Sequence, residues 1–207
     1  MDSREPDIAT RRRALRAQAR AARRTLDEDD RAAAAAALAA HLLRQPELAT
    51  ARRIAAYVAS GSEIDPLPTL HVLLARQTEI YLPHIEHTLP GMHFAHWNGD
   101  PQRLKPNRFG IPEPMVDTRE LLGAENIDVI LLPLVAFDRR GHRLGSGAGY
   151  YDRALVSRSN RPAPPLLIGV AYACQEVEAI PAEPWDIPMD AVTTEKGYFP
   201  ITASREG

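Results

Sequence analysis

The chain has one cysteine, Cys174, in 207 residues, so no intrachain disulfide can form, which suits a reducing compartment such as the cytoplasm. A lone cysteine of this kind is expected to be a small buried apolar residue rather than a nucleophile. No run of about 20 apolar residues occurs, which removes any membrane-spanning helix from consideration. The N-terminus has no apolar core of a secretion signal. Residues 11–24 are arginine-rich and free of acid, but Asp2, Glu5 and Asp7 ahead of them speak against an organelle-targeting segment. Aromatic residues are only 6% of the chain and the formal net charge is −2. There is thus neither a field to recruit nucleic acid or membrane nor a ready surface on which bases stack. No Ser-His-Asp or Cys-His set stands out as a nucleophile with its base. The Gly-Lys-Ser/Thr of a Walker loop and the Gly-x-Gly-x-x-Gly of dinucleotide sites are both missing.

What is present is a composition of 44% hydrophobic residues, enough for one α/β domain with a sizeable core. Thr10 is placed to cap a helix running to Arg24, and Asp27 or Asp29 to cap an alanine-rich one from Asp30 to Arg44. A further helix is expected from Leu67 to Arg76. Short apolar or alternating runs predict strands at 54–58, 79–83, 92–97, 129–135 and 166–171, the last of them mid-sheet because it is apolar throughout. A charged connection or short helix at 117–127 and a stiff Pro162–Pro165 linker separate the later elements. This alternation predicts a three-layer α/β sandwich with a largely parallel central sheet. Residues 1–9 read as a loose leader, 10–200 as one domain and 201–207 as a tail, with no internal repeat.

The densest chemistry lies in Arg143-Leu144-Gly145-Ser146-Gly147-Ala148-Gly149-Tyr150-Tyr151-Asp152. It follows the predicted strand at 129 and precedes a short helix expected from Tyr151 to Arg158. Glycines at 145, 147 and 149 can take positive φ and let a ligand approach the peptide N–H groups. A loop feeding a helix N-terminus in this way is an anion site, because free N–H groups and the helix dipole point the same way. Arg143 adds a permanent cation, and Asp152 a hard oxygen ligand suited to a Mg²⁺ carried by phosphate. On spacing alone, a phosphate loop and a plain tight turn fit equally well.

Other candidates are less marked. Arg12, Arg16, Arg20 and Arg23 fall on one helix face; for a helix without context the default is a solvated face. Glu63 and Asp65 follow the strand at 54, at the sheet edge where open α/β folds bind ligands, and either can instead cap the next helix. His84, His87, His93 and His96 lack a completing cysteine or close carboxylate for zinc and are interrupted by Leu89-Pro90-Gly91, with His93 and His96 falling in an alternating strand from Met92 to Trp97. Phe109 can be ordinary core, and Asp190 an ordinary turn residue.

Taken together, Pro133, Phe137-Asp138, Gly141, Arg143-Leu144-Gly145 and Gly147-x-Gly149-Tyr150-Tyr151-Asp152-Arg153 resemble the signature of the 5-formyltetrahydrofolate cyclo-ligase family. The resemblance runs from about residue 11 to residue 196. It implies the fold of ribose-phosphate isomerase and glucosamine-phosphate isomerase-like proteins, and ATP-dependent cyclisation of 5-formyltetrahydrofolate. In that reaction the formamide oxygen attacks the γ-phosphorus, N10 closes on the activated carbon, and 5,10-methenyltetrahydrofolate, ADP and phosphate result. By this resemblance Arg12 (for a family lysine) and Arg16 reach the ATP phosphates. The loop from Arg143 through Leu144, Gly145, Ser146, Gly147, Ala148, Gly149, Tyr150 and Tyr151 cradles the nucleotide. Arg143, Tyr151 and Asp152 carry the chemistry, while Glu63, Phe109 and Tyr150 contact the folate. Asp152 and Asp190 hold Mg²⁺, with Trp185 and Met189 standing where the family's C-terminal pattern has histidine and leucine. Ser146 and Ala148 replace a larger or basic residue and a glycine. The partners implied are small molecules, with no nucleic acid or membrane, and the assembly a monomer or weak homodimer. The alternatives are a sugar-phosphate isomerase or acyl-CoA transferase of like architecture, and a folate- or nucleotide-binding regulator without turnover.

Overall fold

The computed structural model describes residues 7–85, 91–108, 110–158 and 163–202. Its helices are α1 (Ile8–Arg24), α2 (Glu28–Leu42), α3 (Pro46–Thr50), α4 (Leu67–Ala75) and α5 (Tyr150–Ala154). Asp7, rather than Thr10, caps α1: its carboxylate accepts the Thr10 N–H at 2.7 Å. The helix therefore starts at Ile8, inside the expected leader, because an acid before the first turn satisfies a free N–H and opposes the dipole. Asp27 caps α2 in the same way, accepting from the Asp30 N–H at 2.8 Å. The expected helix at 151–158 is split into α5 and a 3-10 turn at Val156–Arg158. The connection at 117–127 likewise holds two 3-10 turns, Thr118–Glu120 and Ala124–Asn126.

The strands are β1 (Arg53–Ala55), β2 (Glu79–His84), β3 (His93–Trp97), β4 (Leu104–Pro106), β5 (Pro112–Pro114), β6 (Val129–Pro133), β7 (Ala136–Phe137), β8 (Arg143–Leu144), β9 (Leu166–Val170), β10 (Ala191–Thr194) and β11 (Gly197–Pro200). Seven form one sheet in the order β11-β10-β9-β6-β1-β2-β3, with β4-β5 and β7-β8 as separate hairpins. The five strands from β10 to β2 pair in parallel, and the edges β11 and β3 are antiparallel. The fold is thus mixed α/β with a mostly parallel sheet, and β9 is interior as its apolar run requires.

Period-two alternation sends successive residues of one strand to opposite cores. Val129 and Leu131 of β6 join Leu38, Leu42, Leu70 and Leu73 from α2 and α4. Ile130 and Leu132 face Phe94, Phe137, Leu155 and Ile187. The second face is covered by α5, 3-10 turns and irregular chain rather than by long helices. Cys174 departs from expectation, being exposed: it lies on a 3-10 turn whose inward position is taken by Gln175, 1% exposed and hydrogen-bonded to the Leu134 and Val135 carbonyls. Phe109, His87 and Pro162 lie outside the described residues. Among those described, no helix is long and apolar enough to cross a membrane.

Candidate active site

The chain runs from β1 outward to β2 on one side, and from β6 outward to β9 and β10 on the other. Strand order therefore reverses between β1 and β6, and the crevice beyond the C-terminal ends of those two strands is where ligands sit in open α/β sheets. The loop after β1 carries Glu63. The chain after β6 makes the β7-β8 hairpin and then the glycine loop. Both lead to the same edge.

The hairpin is held by Asp138, which is fully buried. Its carboxylate accepts the N–H groups of Arg140 (3.0 Å), His142 (3.1 Å) and Ile180 (2.9 Å). Burial alone would raise its pKa, but the N–H bonds of Ile180 and His142 outweigh this and hold it below the usual value. The returning strand β8 delivers Arg143, whose buried guanidinium donates to Asp152 Oδ1 at 2.6 Å and to the Ile187 carbonyl. Burial presses the Arg143 pKa down and the charges of Asp152 and Asp186 oppose it; arginine stays cationic regardless.

Between Arg143 and α5 the loop turns at Gly147 (φ 115°) and Gly149 (φ 68°). Space beside Gly147 is open, so its conformation rather than crowding demands glycine there. Gly145 does not take positive φ; its carbonyl instead accepts from Arg16 Nε at 2.9 Å. Ser146 lies in the same turn and, with Ala148, presents only a small side chain. Gly149 is the residue before α5, so Asp152 falls on the first turn of that helix. Leu144, in β8, is fully buried and serves the core.

The basic face of α1 is not a solvated surface. Arg12 pairs with Asp186 through two contacts of 3.0 and 2.9 Å, with both side chains nearly covered. Arg16 holds the glycine loop. Arg23, 9% exposed, donates to Ser62 Oγ at 2.9 Å, beside Glu63. One helix face thus ties down three loops at the sheet edge. Burial and the nearby charges of Arg12 and Arg20 lower the Arg16 pKa, with Asp186 opposing.

Glu63 is half-buried and accepts the Ser60 N–H at 3.1 Å. Burial raises its pKa, with the Ser60 bond and the Arg23 charge pulling back. Asp65 accepts the Leu67 N–H at 2.9 Å, at the start of α4. The Tyr151 hydroxyl is enclosed: burial drives its pKa up, the Glu63 carboxylate adds to this and Arg143 opposes. Tyr150 is half-buried, its hydroxyl 3.3 Å from an Arg108 nitrogen and its ring under the Arg153 guanidinium.

A cleft of about 820 Å³ opens here, lined by Arg12, Arg16, Arg143, the glycine loop and Asp152. A second cavity of about 530 Å³ lies on the Glu63 side, against Tyr57, Trp97 and Tyr172. Asp190 is not brought to the cleft. It precedes β10, with its N–H on the Leu167 carbonyl, and both its oxygens are engaged by Arg158 at 2.6 and 2.8 Å. The Leu167 N–H, at 2.8 Å, completes its contacts. The acid lies at the starting edge of the strands, where an arginine neutralises it, so it does not join Asp152 in a metal pair. Asp138 stands in the Phe137-Asp138 and Gly141 pattern of the sequence without a role of its own assigned there, and nothing local marks Asp186 as the partner of Arg12.

The model of the 5-formyltetrahydrofolate cyclo-ligase family matches residues 8–195. The chain belongs to that family. It is 35% identical over 173 residues to the 5-formyltetrahydrofolate cyclo-ligase of Escherichia coli (strain K12), covering 83% of this chain and 93% of that one. To the Haemophilus influenzae protein of the same name it is 37% identical over 150 residues, covering 72% and 79%. The NMR structure of Aquifex aeolicus 5,10-methenyltetrahydrofolate synthetase superposes with a TM-score of 0.77 at 33% identity, covering 95% of this chain and 94% of that one. Membership sets aside the sugar-phosphate isomerase and acyl-CoA transferase alternatives.

Proposed function

We propose that this protein is an enzyme that converts 5-formyltetrahydrofolate to 5,10-methenyltetrahydrofolate with turnover of ATP to ADP and phosphate. The observation that carries the reading is the convergence of the glycine loop, Arg16 and Arg143 on one cleft at the sheet's switch point. The chemistry asks for no protein nucleophile. It needs in-line placement of a weak oxygen nucleophile and neutralisation of charge on the transferring phosphoryl group. The loop N–H groups with Arg16 bind phosphate oxygens, and Arg143 stabilises the charge that develops. Arg12 is held by Asp186 and adds its charge at the cleft wall. Glu63 accepts the donor edge of the pterin, Tyr151 orients the reacting formyl group, and Phe109 and Tyr150 wall the folate.

The residues present fit a Mg²⁺. Asp152 Oδ1 is taken by Arg143, while Oδ2 makes no hydrogen bond among the described residues, leaving a hard donor in the cleft. Asp152 would hold the ion without Asp190, and the ion would supply further charge neutralisation on the phosphates. The wider kinship with ribose-phosphate isomerase and glucosamine-phosphate isomerase-like folds, a cytoplasmic location, and a monomer or weak homodimer belong to the same reading.

The test is to mix pure protein with 5-formyltetrahydrofolate, Mg²⁺ and ATP and follow the near-ultraviolet absorbance of the methenyl product. A rise that needs all three components is the expected result. Absence of a rise with folded protein, alongside tight binding of folate or nucleotide, would replace the enzyme by a binding regulator.

A further inference from the structure

The two most exposed large apolar side chains among the described residues are Val156 (65%) and Trp185 (64%). Both line the cleft that begins at the glycine loop. An exposed indole in a loose tail would need no explanation, but this one is held out by a closed turn. The Asp186 N–H donates to the Glu183 carbonyl at 3.0 Å, and the Glu183 N–H donates to Asp186 Oδ2 at 2.9 Å. The same carboxylate is paired with Arg12. Trp185 therefore sits at the corner of a turn fixed at both ends and anchored to α1.

The cleft also changes character along α1. Arg16 meets Gly145 of the phosphate-binding loop, Arg12 meets Asp186 beside Trp185, and Ala9 lines the cleft one turn further on. At 1.5 Å rise per residue, Arg16 to Ala9 spans about 10 Å along the helix axis, the reach of a nucleotide from outer phosphates to base. One end gathers cations and N–H groups. Ala9, Val156, Pro184 and Trp185 add apolar surface with a flat aromatic face to the same lining, alongside Arg153 and Glu183. An amphipathic cleft of this order matches a molecule that is anionic at one end and a flat heteroaromatic at the other.

We propose that Trp185, with Val156, is the platform on which the purine base of ATP stacks, making Trp185 a specificity-determining residue of this chain. The inference rests on the reading that the glycine loop takes the phosphates. Stacking recognises the π-face rather than hydrogen-bonding edges, so purine triphosphates are favoured over pyrimidine ones, with weak discrimination between adenine and guanine.

The test compares the wild-type chain with Trp185→Phe and Trp185→Ala, substitutions at an exposed position that leave the core intact, as circular dichroism will verify. The probes are ADP, ATP and inorganic tripolyphosphate, which has no base. ADP should quench the wild-type tryptophan emission saturably and tripolyphosphate should not; in Trp185→Phe, where buried Trp97 is the remaining indole, the ADP quench should vanish. Trp185→Ala should raise the KM for ATP by roughly 5- to 100-fold, with a much smaller change in kcat and in tripolyphosphate inhibition, and Trp185→Phe should recover most of the loss. An unaltered KM for ATP in Trp185→Ala, or an equal weakening of tripolyphosphate, overturns the proposal: the base would then rest elsewhere, or the residue would merely shape the loop. Failure of the wild-type chain to bind either ADP or tripolyphosphate sinks the phosphate reading itself, a result seen before any substitution is made.

Discussion

Asp152, on the first turn of α5, places Oδ1 2.6 Å from a guanidinium nitrogen of Arg143 in β8, so the helix after the glycine loop is tied directly to the strand before it. The loop between them is a closed unit whose two ends cannot drift apart. Its position is passed on to the whole cleft by Arg16 and by the contact from Arg143 to the Ile187 carbonyl.

Substitution of Asp152 should therefore have two separable effects. Asp152→Asn keeps a hydrogen-bond acceptor for Arg143 but removes the charge that a Mg²⁺ needs, so turnover should fall by on the order of 100-fold or more with little loss of stability. Asp152→Ala also strands the buried guanidinium, adding a stability loss of about 1–3 kcal/mol, kept small because the carboxylate is partly solvated. Steady-state kinetics across Mg²⁺ concentrations, with urea unfolding in parallel, separate the two. Full activity in Asp152→Asn would remove the carboxylate from the chemistry.

Arg16 offers a second test, of the loop as a phosphate cradle. Its Nε donates to the Gly145 carbonyl, leaving its charge at the cleft. Arg16→Lys keeps a cation but loses the fixed fork. The KM for ATP should rise by roughly 10-fold in Arg16→Lys and further in Arg16→Ala, while the KM for the folate substrate moves little. Equal changes in both constants would show that the loop is generally disordered rather than impaired toward phosphate.

Much of this architecture was legible in the residues. The apolar runs at 129 and 166 gave the central strands, because a strand buried on both faces must be apolar throughout. Gly147 and Gly149 marked the turn into α5 because no other residue takes those φ values freely. What escaped was long-range pairing. Nothing local shows that Arg158 reaches Asp190 or that Arg12 reaches Asp186, since sequence separation carries no distance. The acid expected at a metal is engaged by an arginine, and the arginine face, whose default without context is a solvated surface, clamps three loops.

Glu113 illustrates the same point in stability. It is 8% exposed, and its Oε1 accepts the Ile85 N–H at 3.0 Å and the Asn107 amide at 2.7 Å. The carboxylate thereby fastens the β4-β5 hairpin, which carries Arg108 to Tyr150, onto the end of β2. Glu113→Ala leaves those donors without their acceptor and should cost about 2–3 kcal/mol, lowering Tm by roughly 5–10 °C. Glu113→Gln retains an acceptor oxygen and should lose less than half as much. Scanning calorimetry decides; an unchanged Tm in Glu113→Ala would mean that the hairpin is held by other contacts.

Glu63 should leave its mark on both stability and activity as pH changes. Burial raises its folded pKa above the ordinary carboxylate value, so the native state binds this proton more tightly than the unfolded chain does. The resulting stabilisation is complete below the unfolded pKa and is lost as pH rises through the raised folded value. Glu63→Gln abolishes this dependence, so the variant should gain stability relative to wild type on going from acid to neutral pH. Activity should move oppositely. An ionised Glu63 is the form that accepts the pterin's donors, so wild-type kcat/KM for 5-formyltetrahydrofolate should rise through an acid limb set above the usual carboxylate range. In Glu63→Gln that limb should disappear and the plateau should drop by on the order of 10- to 100-fold, with the KM for ATP nearly constant. Paired pH profiles of kcat/KM and of urea unfolding check both halves. Persistence of the same acid limb in the glutamine variant would assign it to another group and remove Glu63 from folate recognition.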